Sequence, residues 1–289
     1  MSRLALGTVQ FGLHYGVANQ SGQVSIAESG DMLQLASANK IEMLDTAISY
    51  GDSEACLGEV GTQGFKLVTK LPAMPNNCSD IHAWVQQQVN ASFSRLGVKS
   101  TYGLLLHRSE QLLEPNGGAL YQALQALKDD GRVQKVGVSI YSPQELAALA
   151  PHYSFDLVQA PFNLIDRRLF STGWMQRLKD DGVEIHTRSV FLQGLLLMPQ
   201  KDVPSKFSKW DSLWKTWYRW LEGHDVSALQ ACLDFSLSFS EIDKVVVGAD
   251  SASQLRQIIH AVNNQKSAGA PELMCEDELL INPSHWPTL

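Results

Sequence analysis

A chain of 289 residues, 44% hydrophobic and 18% charged, holds enough apolar material for one large core and lies far from the disordered class. Its net charge of −7 and lack of a basic block argue against nucleic acid as a partner, and no apolar run reaches the ~20 residues of a membrane span. The four cysteines (Cys56, Cys78, Cys232, Cys275) form no CxxC pair and no metal spacing with histidine, and the start MSRLALGTVQ is not signal-like, so a cytoplasmic, metal-free protein is expected.

Strand-like runs fall at Arg3–Thr8, Ile41–Asp45, Phe65–Leu71, Tyr102–His107, Val133–Ser139, Phe155–Ala160, Val183–Ser189 and Lys244–Gly248. Helical patterns separate them throughout, which predicts a parallel α/β sheet. Eight strands is also the number that closes a barrel, so the expected fold is a single (β/α)8 domain over 1–289. Ser25-Ile26-Ala27-Glu28 has the pattern of a capping box, in which serine and glutamate each satisfy an orphan backbone N–H. Ser142-Pro143-Gln144-Glu145 adds proline where its missing donor does no harm. Leu127-Lys128-Asp129-Asp130-Gly131 and Leu178-Lys179-Asp180-Asp181-Gly182 each close a helix on a glycine suited to the left-handed cap.

Two stretches break the alternation. Residues 198–226 carry Trp210, Trp214, Trp217 and Trp220, spaced for one helical face. They read as an inserted amphipathic helix packed on the barrel, against the alternative of a substrate-stacking surface. The tail 268–289, with prolines and Trp286, reads as an extended covering segment.

Three strand ends carry unusual chemistry: Asp45-Thr46-Ala47-Ile48-Ser49-Tyr50-Gly51 after the second, Thr69-Lys70 on the third, and Leu106-His107 on the fourth. In a barrel, the C-terminal strand ends converge on one mouth, so Asp45, Tyr50, Lys70 and His107 are expected to meet there as catalytic residues. Tyrosine with a pKa of ~10 is a reluctant proton donor. A neighbouring Lys70 ammonium is expected to lower it, with Asp45 holding Lys70 and His107 orienting a carbonyl oxygen. No G-x-G-x-x-G follows a strand, and Gly58, Gly61 and Gly64 have the wrong spacing for one.

These residues resemble the aldo-keto reductase family over nearly the whole chain. Leu6-Gly7-Thr8 and Asp45-Thr46-Ala47-x-x-Tyr50-Gly51-x-Ser53-Glu54-x-x-Leu57-Gly58 open the match, and Thr69-Lys70 and Leu106-His107 continue it. Val136-Gly137-Val138-Ser139, Gln159-x-x-Phe162-Asn163 and Val247-Gly248-Ala249-x-Ser251-x-x-Gln254-Leu255 complete it. The resemblance implies reduction of an aldehyde, ketone or open-chain sugar by NADPH, with NADH as rival, and Tyr50 as proton donor. It further implies a dinucleotide across the mouth, contacted by Gly7, Thr8, Asp45, Ser139, Gln159, Arg188, Ser189, Phe191, Gly194, Gly248, Ser251 and Gln254. Of these, Ser139 and Gln159 would hold the carboxamide, 188–195 would wrap the nicotinamide and pyrophosphate, and the helix opening at Ser251 would favour a phosphate.

The chain departs from the family at Ile140 (usually asparagine), at Arg188 (usually an aromatic on the nicotinamide) and at Ile258 (usually an asparagine reading adenine). Asp250 adds like charge where a 2′-phosphate would lie. Other functions stay open: an NAD-linked sugar dehydrogenase, a slow redox-sensing regulator, and a lyase using Lys70 as a Schiff-base amine. Val9, Phe11, Tyr141 and Trp286 are candidate pocket residues, with packing as the equal alternative.

Overall fold

In the computed structural model, which describes residues 2–266 and 269–289, eight strands pair in parallel and close into a barrel in chain order. They are β1 (Leu4–Gly7), β2 (Met43–Asp45), β3 (Lys66–Leu71), β4 (Thr101–Leu106), β5 (Val133–Ser139), β6 (Leu157–Pro161), β7 (Glu184–Arg188) and β8 (Lys244–Val247). The seam pairs Leu4 with Val245 and Leu6 with Val247. Arg3 reinforces it, its guanidinium donating to the carbonyls of Leu237 at 2.6 Å and Ile242 at 2.8 Å.

Side chains alternate along a strand, so each strand has an outward and an inward series. Outward residues such as Leu6, Leu44, Leu67, Leu104, Val136, Val158 and Val245 join the main core beneath the helices. Ala5, Met43, Val68, Leu105, Leu157 and Val246 form a second apolar cluster filling the barrel interior. Two residues further along each of those strands lie Gly7, Asp45, Lys70, His107, Gln159 and Gly248. Period two therefore delivers the chemistry to the inside of the C-terminal mouth.

The helix ends mostly follow their local signals. Ser142 and Glu145 form a complete capping box on the helix Pro143–Leu149. Gly131 and Gly182, at φ 69° and 72°, adopt the left-handed conformation the LKDDG repeats anticipate. The exception is Ser25-x-x-Glu28. Ser25 accepts from Glu28 N, but the Glu28 carboxylate reaches away to Ala252 N at 2.6 Å.

The tryptophans are packing. Trp210 lies in the 3-10 turn Ser205–Trp210, one element earlier than the single-face reading expects, and the other three lie on the helix Asp211–His224. Trp214 Nε1 donates to Phe207 O at 3.0 Å, Trp217 Nε1 donates to Leu196 O at 3.2 Å, and Trp217 stacks on Trp220 at 6.0 Å. The tail is not simply extended, and its expected start at Ala268 lies outside the described residues. It contains a short helix Glu278–Ile281, capped by Asp277, and a 3-10 turn Pro283–Thr288 that buries Trp286 against Phe207 at 4.8 Å. Trp217 is fully buried, so Trp217→Ala should lower the unfolding free energy by ~3–5 kcal/mol in urea denaturation. Trp220, only partly buried, should cost clearly less on the same change.

Candidate active site

Lys70 and Asp45 are both buried and pair at 2.6 Å. Lys70 Nζ also donates to Thr46 O at 2.9 Å, and Gln159 Nε2 donates to the other Asp45 oxygen at 2.7 Å. The Lys70 ammonium lies 5.0 Å from the centre of the Tyr50 ring. That ring meets His107 edge-on, with centroids 5.8 Å apart. The structure thus brings Asp45, Tyr50, Lys70 and His107 together.

Burial raises the Tyr50 phenol above its ordinary value and the Asp45 charge adds to this, while the Arg188 charge lowers it. Lys70, paired with Asp45 and 5.0 Å from the ring centre, is the other cation beside it. Lys70 is itself displaced downward, as burial outweighs Asp45. His107 is pushed to about 4 by burial, then by Lys70 and Arg188, so it is neutral at physiological pH. Its Nδ1 lies 3.0 Å from Ser49 Oγ, a partner the sequence reading did not single out although it adjoins Tyr50.

Arg188, on the inward series of β7, donates to Ile140 O at 3.0 Å and to Ser189 Oγ at 3.2 Å, and its guanidinium lies 4.6 Å from the Tyr141 ring centre. The two departures Ile140 and Arg188 are therefore in contact. Ser139 and Gln159 sit side by side with a long 3.4 Å contact, which suits a carboxamide inserting between hydroxyl and amide. Beyond β7, Ser189, Leu192, Gln193 and Gly194 all have left-handed backbones, at φ 63°, 47°, 53° and 87°. Each non-glycine in that region costs about 1–3 kcal/mol, the kind of strain that accumulates at ligand-binding loops.

Several expected contacts are engaged elsewhere. Thr8 is fully buried, its hydroxyl donating to Asp45 O at 3.0 Å and lying 2.9 Å from Ser53 Oγ, so it ties β1 to β2. Phe191 joins the main core, and Gly7 leaves room for Val246, which a Cβ would approach to 3.1 Å. At the last helix, Ala252–Asn263, Ser251 Oγ accepts from Gln254 N, and Gln254 Oε1 accepts from Asp250 N at 2.8 Å. The mouth suits the nicotinamide end of a dinucleotide, while at the helix head Ser251, Gln254 and Ala252 N are already engaged within the chain. Ile258 is core.

A cavity of about 570 Å³ adjoins His107, walled by Ser49 and Tyr141 on the barrel side and by Glu278, Asn282 and His285 of the tail. Of the pocket candidates, Tyr141 lines it, whereas Phe11 and Trp286 are core. Among the described residues, no three His, Cys, Asp or Glu side chains could hold a metal, and no helix is long and apolar enough to cross a membrane.

The His107 displacement has a stability consequence. Below pH 6.5 the unfolded chain takes up a proton that the folded chain refuses until about 4. The stabilisation from a neutral His107 is therefore complete above 6.5 and is lost as pH falls toward 4. Urea denaturation at pH 7 and pH 5 should show a larger loss for the wild type than for His107→Gln.

The profile of the Aldo/keto reductase family matches residues 3–270. YqkF of Bacillus subtilis (strain 168), described as an uncharacterized oxidoreductase, is 23% identical over 212 residues, 70% of this chain and 66% of that protein, so the chain spans just under two thirds of that relative's length. The fold is similar to the holo form of the aldo-keto reductase AKR11C1 from Bacillus halodurans, with a TM-score of 0.71, 19% identity, and 90% of this chain and 86% of that one covered. It is also similar to PA4992 from Pseudomonas aeruginosa, with a TM-score of 0.67, 21% identity, and 91% and 90% covered. At such identities the structures speak for the fold alone. With its family profile running over nearly the whole length, and with the fold of such enzymes, the chain belongs to the aldo/keto reductase family.

Proposed function

We propose that this oxidoreductase reduces the carbonyl of an aldehyde, ketone or open-chain sugar, with Tyr50 as general acid and a reduced nicotinamide dinucleotide as partner. One observation carries the reading. The buried Asp45–Lys70 pair lies against the ring of Tyr50, which meets a neutral His107 edge-on, and all four stand at the mouth of the barrel. When bound, the cofactor supplies a hydride.

The rest is the work of the chain. Ser49 Oγ lies 3.0 Å from Nδ1, and in the tautomer where it donates there, His107 carries its proton on Nε2 and offers it to the carbonyl oxygen. As negative charge grows on that oxygen, the Tyr50 hydroxyl delivers its proton. Lys70, 5.0 Å from the ring, and Arg188, whose charge lowers the phenol, stabilise the phenolate left behind. The Asp45–Lys70 pair fixes the floor on which Tyr50 rests. Ser139 and Gln159 are positioned to orient a carboxamide.

An NAD-linked sugar dehydrogenase would use the same four residues in the reverse direction, with Tyr50 as base. The lyase reading fares worse. Lys70 is fully buried, and its ammonium is held by Asp45 and Thr46 O, which leaves no approach for a Schiff base. A redox-sensing role would show tight cofactor binding with very slow turnover. The four cysteines all stand free, which suits a reducing cytoplasm.

Tyr50→Phe removes only the proton donor. It should leave the fold and dinucleotide affinity in place while carbonyl reduction falls ~10²–10⁴-fold, read by steady-state absorbance at the nicotinamide band. Turnover near the wild-type rate in that variant removes Tyr50 from the mechanism.

A further inference from the structure

We propose that the chain is built for NADH, and that Glu28, together with Asp250, excludes a 2′-phosphate at the head of the helix Ala252–Asn263. The inference rests on the nicotinamide-dependent reading above and goes beyond it by naming the dinucleotide and the residue that selects it.

The head of a helix attracts an anion because its first N–H groups lack partners and carry partial positive charge. Here that position already has an anion. Glu28 comes from the helix Ile26–Ala38, on the other side of the barrel seam in sequence, and its Oε1 accepts from Ala252 N at 2.6 Å. Two residues further on, Gln254 N is taken by Ser251 Oγ at 3.2 Å. Glu28 achieves this by abandoning its own helix, where the sequence pattern would have it complete a capping box with Ser25.

Asp250 adds a second carboxylate one residue before the helix cap. Its Oδ1 accepts from Asn19 Nδ2 at 3.1 Å, and Gln10 and Gln254 side chains also steady it. Among the described residues, neither Glu28 nor Asp250 has a lysine or arginine within salt-bridge distance. The one cation of this segment, Arg256, is exposed and likewise makes no ion pair. A phosphate bringing about −1.5 to −2 charges would therefore meet two uncompensated carboxylates.

A second observation marks the place as a ligand site of the opposite character. Gln10 is only 8% exposed, yet its Oε1 has no hydrogen-bond partner. It stands against Gly248 at the end of β8, where a Cβ would come within 3.1 Å of that oxygen. An orphan amide oxygen on the residue that steadies Asp250 adds an acceptor to that carboxylate, which suits the hydroxyl donors of an unmodified ribose. Dinucleotide sites on another fold use an acidic side chain on the ribose 2′-hydroxyl to the same end.

The test is binding, not turnover. The purified full chain is titrated with NADH, NADPH, 5′-AMP and adenosine 2′,5′-bisphosphate by calorimetry, at low and at high salt. NADH should bind at least tenfold more tightly than NADPH, and 5′-AMP more tightly than the bisphosphate, with both ratios shrinking as salt screens the repulsion. Glu28→Gln, which can keep the bond to Ala252 N but not the charge, should narrow the NADH:NADPH ratio at least threefold. Asp250→Ser, at a half-buried turn position, provides the same reading should Glu28→Gln fail to fold. Equal or tighter binding of NADPH by the wild type overturns this inference while leaving the reductase reading intact, as does a ratio that neither variant moves. Binding of no dinucleotide at all overturns both.

Discussion

The buried pair of Lys70 and Asp45 is the constraint around which the mouth is organised. Neither charge could be left alone in that environment, because the desolvation of an isolated ion costs several kcal/mol and removing one partner of such a pair typically costs ~3–5 kcal/mol. The pair is tolerated because its remaining valences are met by Thr46 O and by the Gln159 amide. Those partners come from the ends of β2, β3 and β6. A shift of one residue in any of these strands would turn its member of the set toward the helices. The ion pair thus ties register to chemistry, and the apolar interior layer one step below supplies the dry floor that keeps it strong.

Arg188 adds a second cation to the mouth: it lowers the Tyr50 phenol and is held by Ile140 O and by the Tyr141 ring. The same guanidinium, with Lys70, helps keep His107 neutral and so available as a hydrogen-bond donor. Arg188 and Ile140, which as isolated positions look like losses from the family pattern, form one unit in which a backbone carbonyl and an aromatic face aim a cation into the mouth. The substitution exchanges an aromatic surface for a charge.

Much of this was legible in the sequence because it is written locally. All eight strands lie within a few residues of their expected runs, since period-two apolar series and the glycines at 131 and 182 are short-range signals. The four central residues were legible for the same reason: each sits at a strand end, and the barrel rule brings strand ends together. What escaped notice were the commitments of side chains across long separations. The box Ser25-x-x-Glu28 reads identically whether the glutamate turns back on its own helix or crosses 224 positions to Ala252. Thr8 looks like a free hydroxyl until Ser53, 45 positions on, is seen to engage it. Trp210 and the tail went partly astray because short 3-10 turns lack a distinct period.

The outer wall of the cavity is joined to this interior by one buried arginine. Arg168 is paired with Asp166 at 2.9 Å, reaches Glu278 of the tail at 3.0 Å, and donates to Tyr141 O at 2.9 Å. Tyr141 in turn presents its ring to Arg188 and its face to the cavity. A chain of contacts therefore runs from the tail through Arg168 and Tyr141 to a cation that acts on Tyr50. Glu278 is half-exposed, so its own contact with Arg168 contributes little. The buried Asp166–Arg168 pair carries the mechanical connection, and Glu278 only registers where the tail lies. Tyr141 is thus where the cavity's wall of tail and loop residues meets the Arg188 guanidinium, so a shift of the tail would be felt both in the cavity's shape and at Arg188.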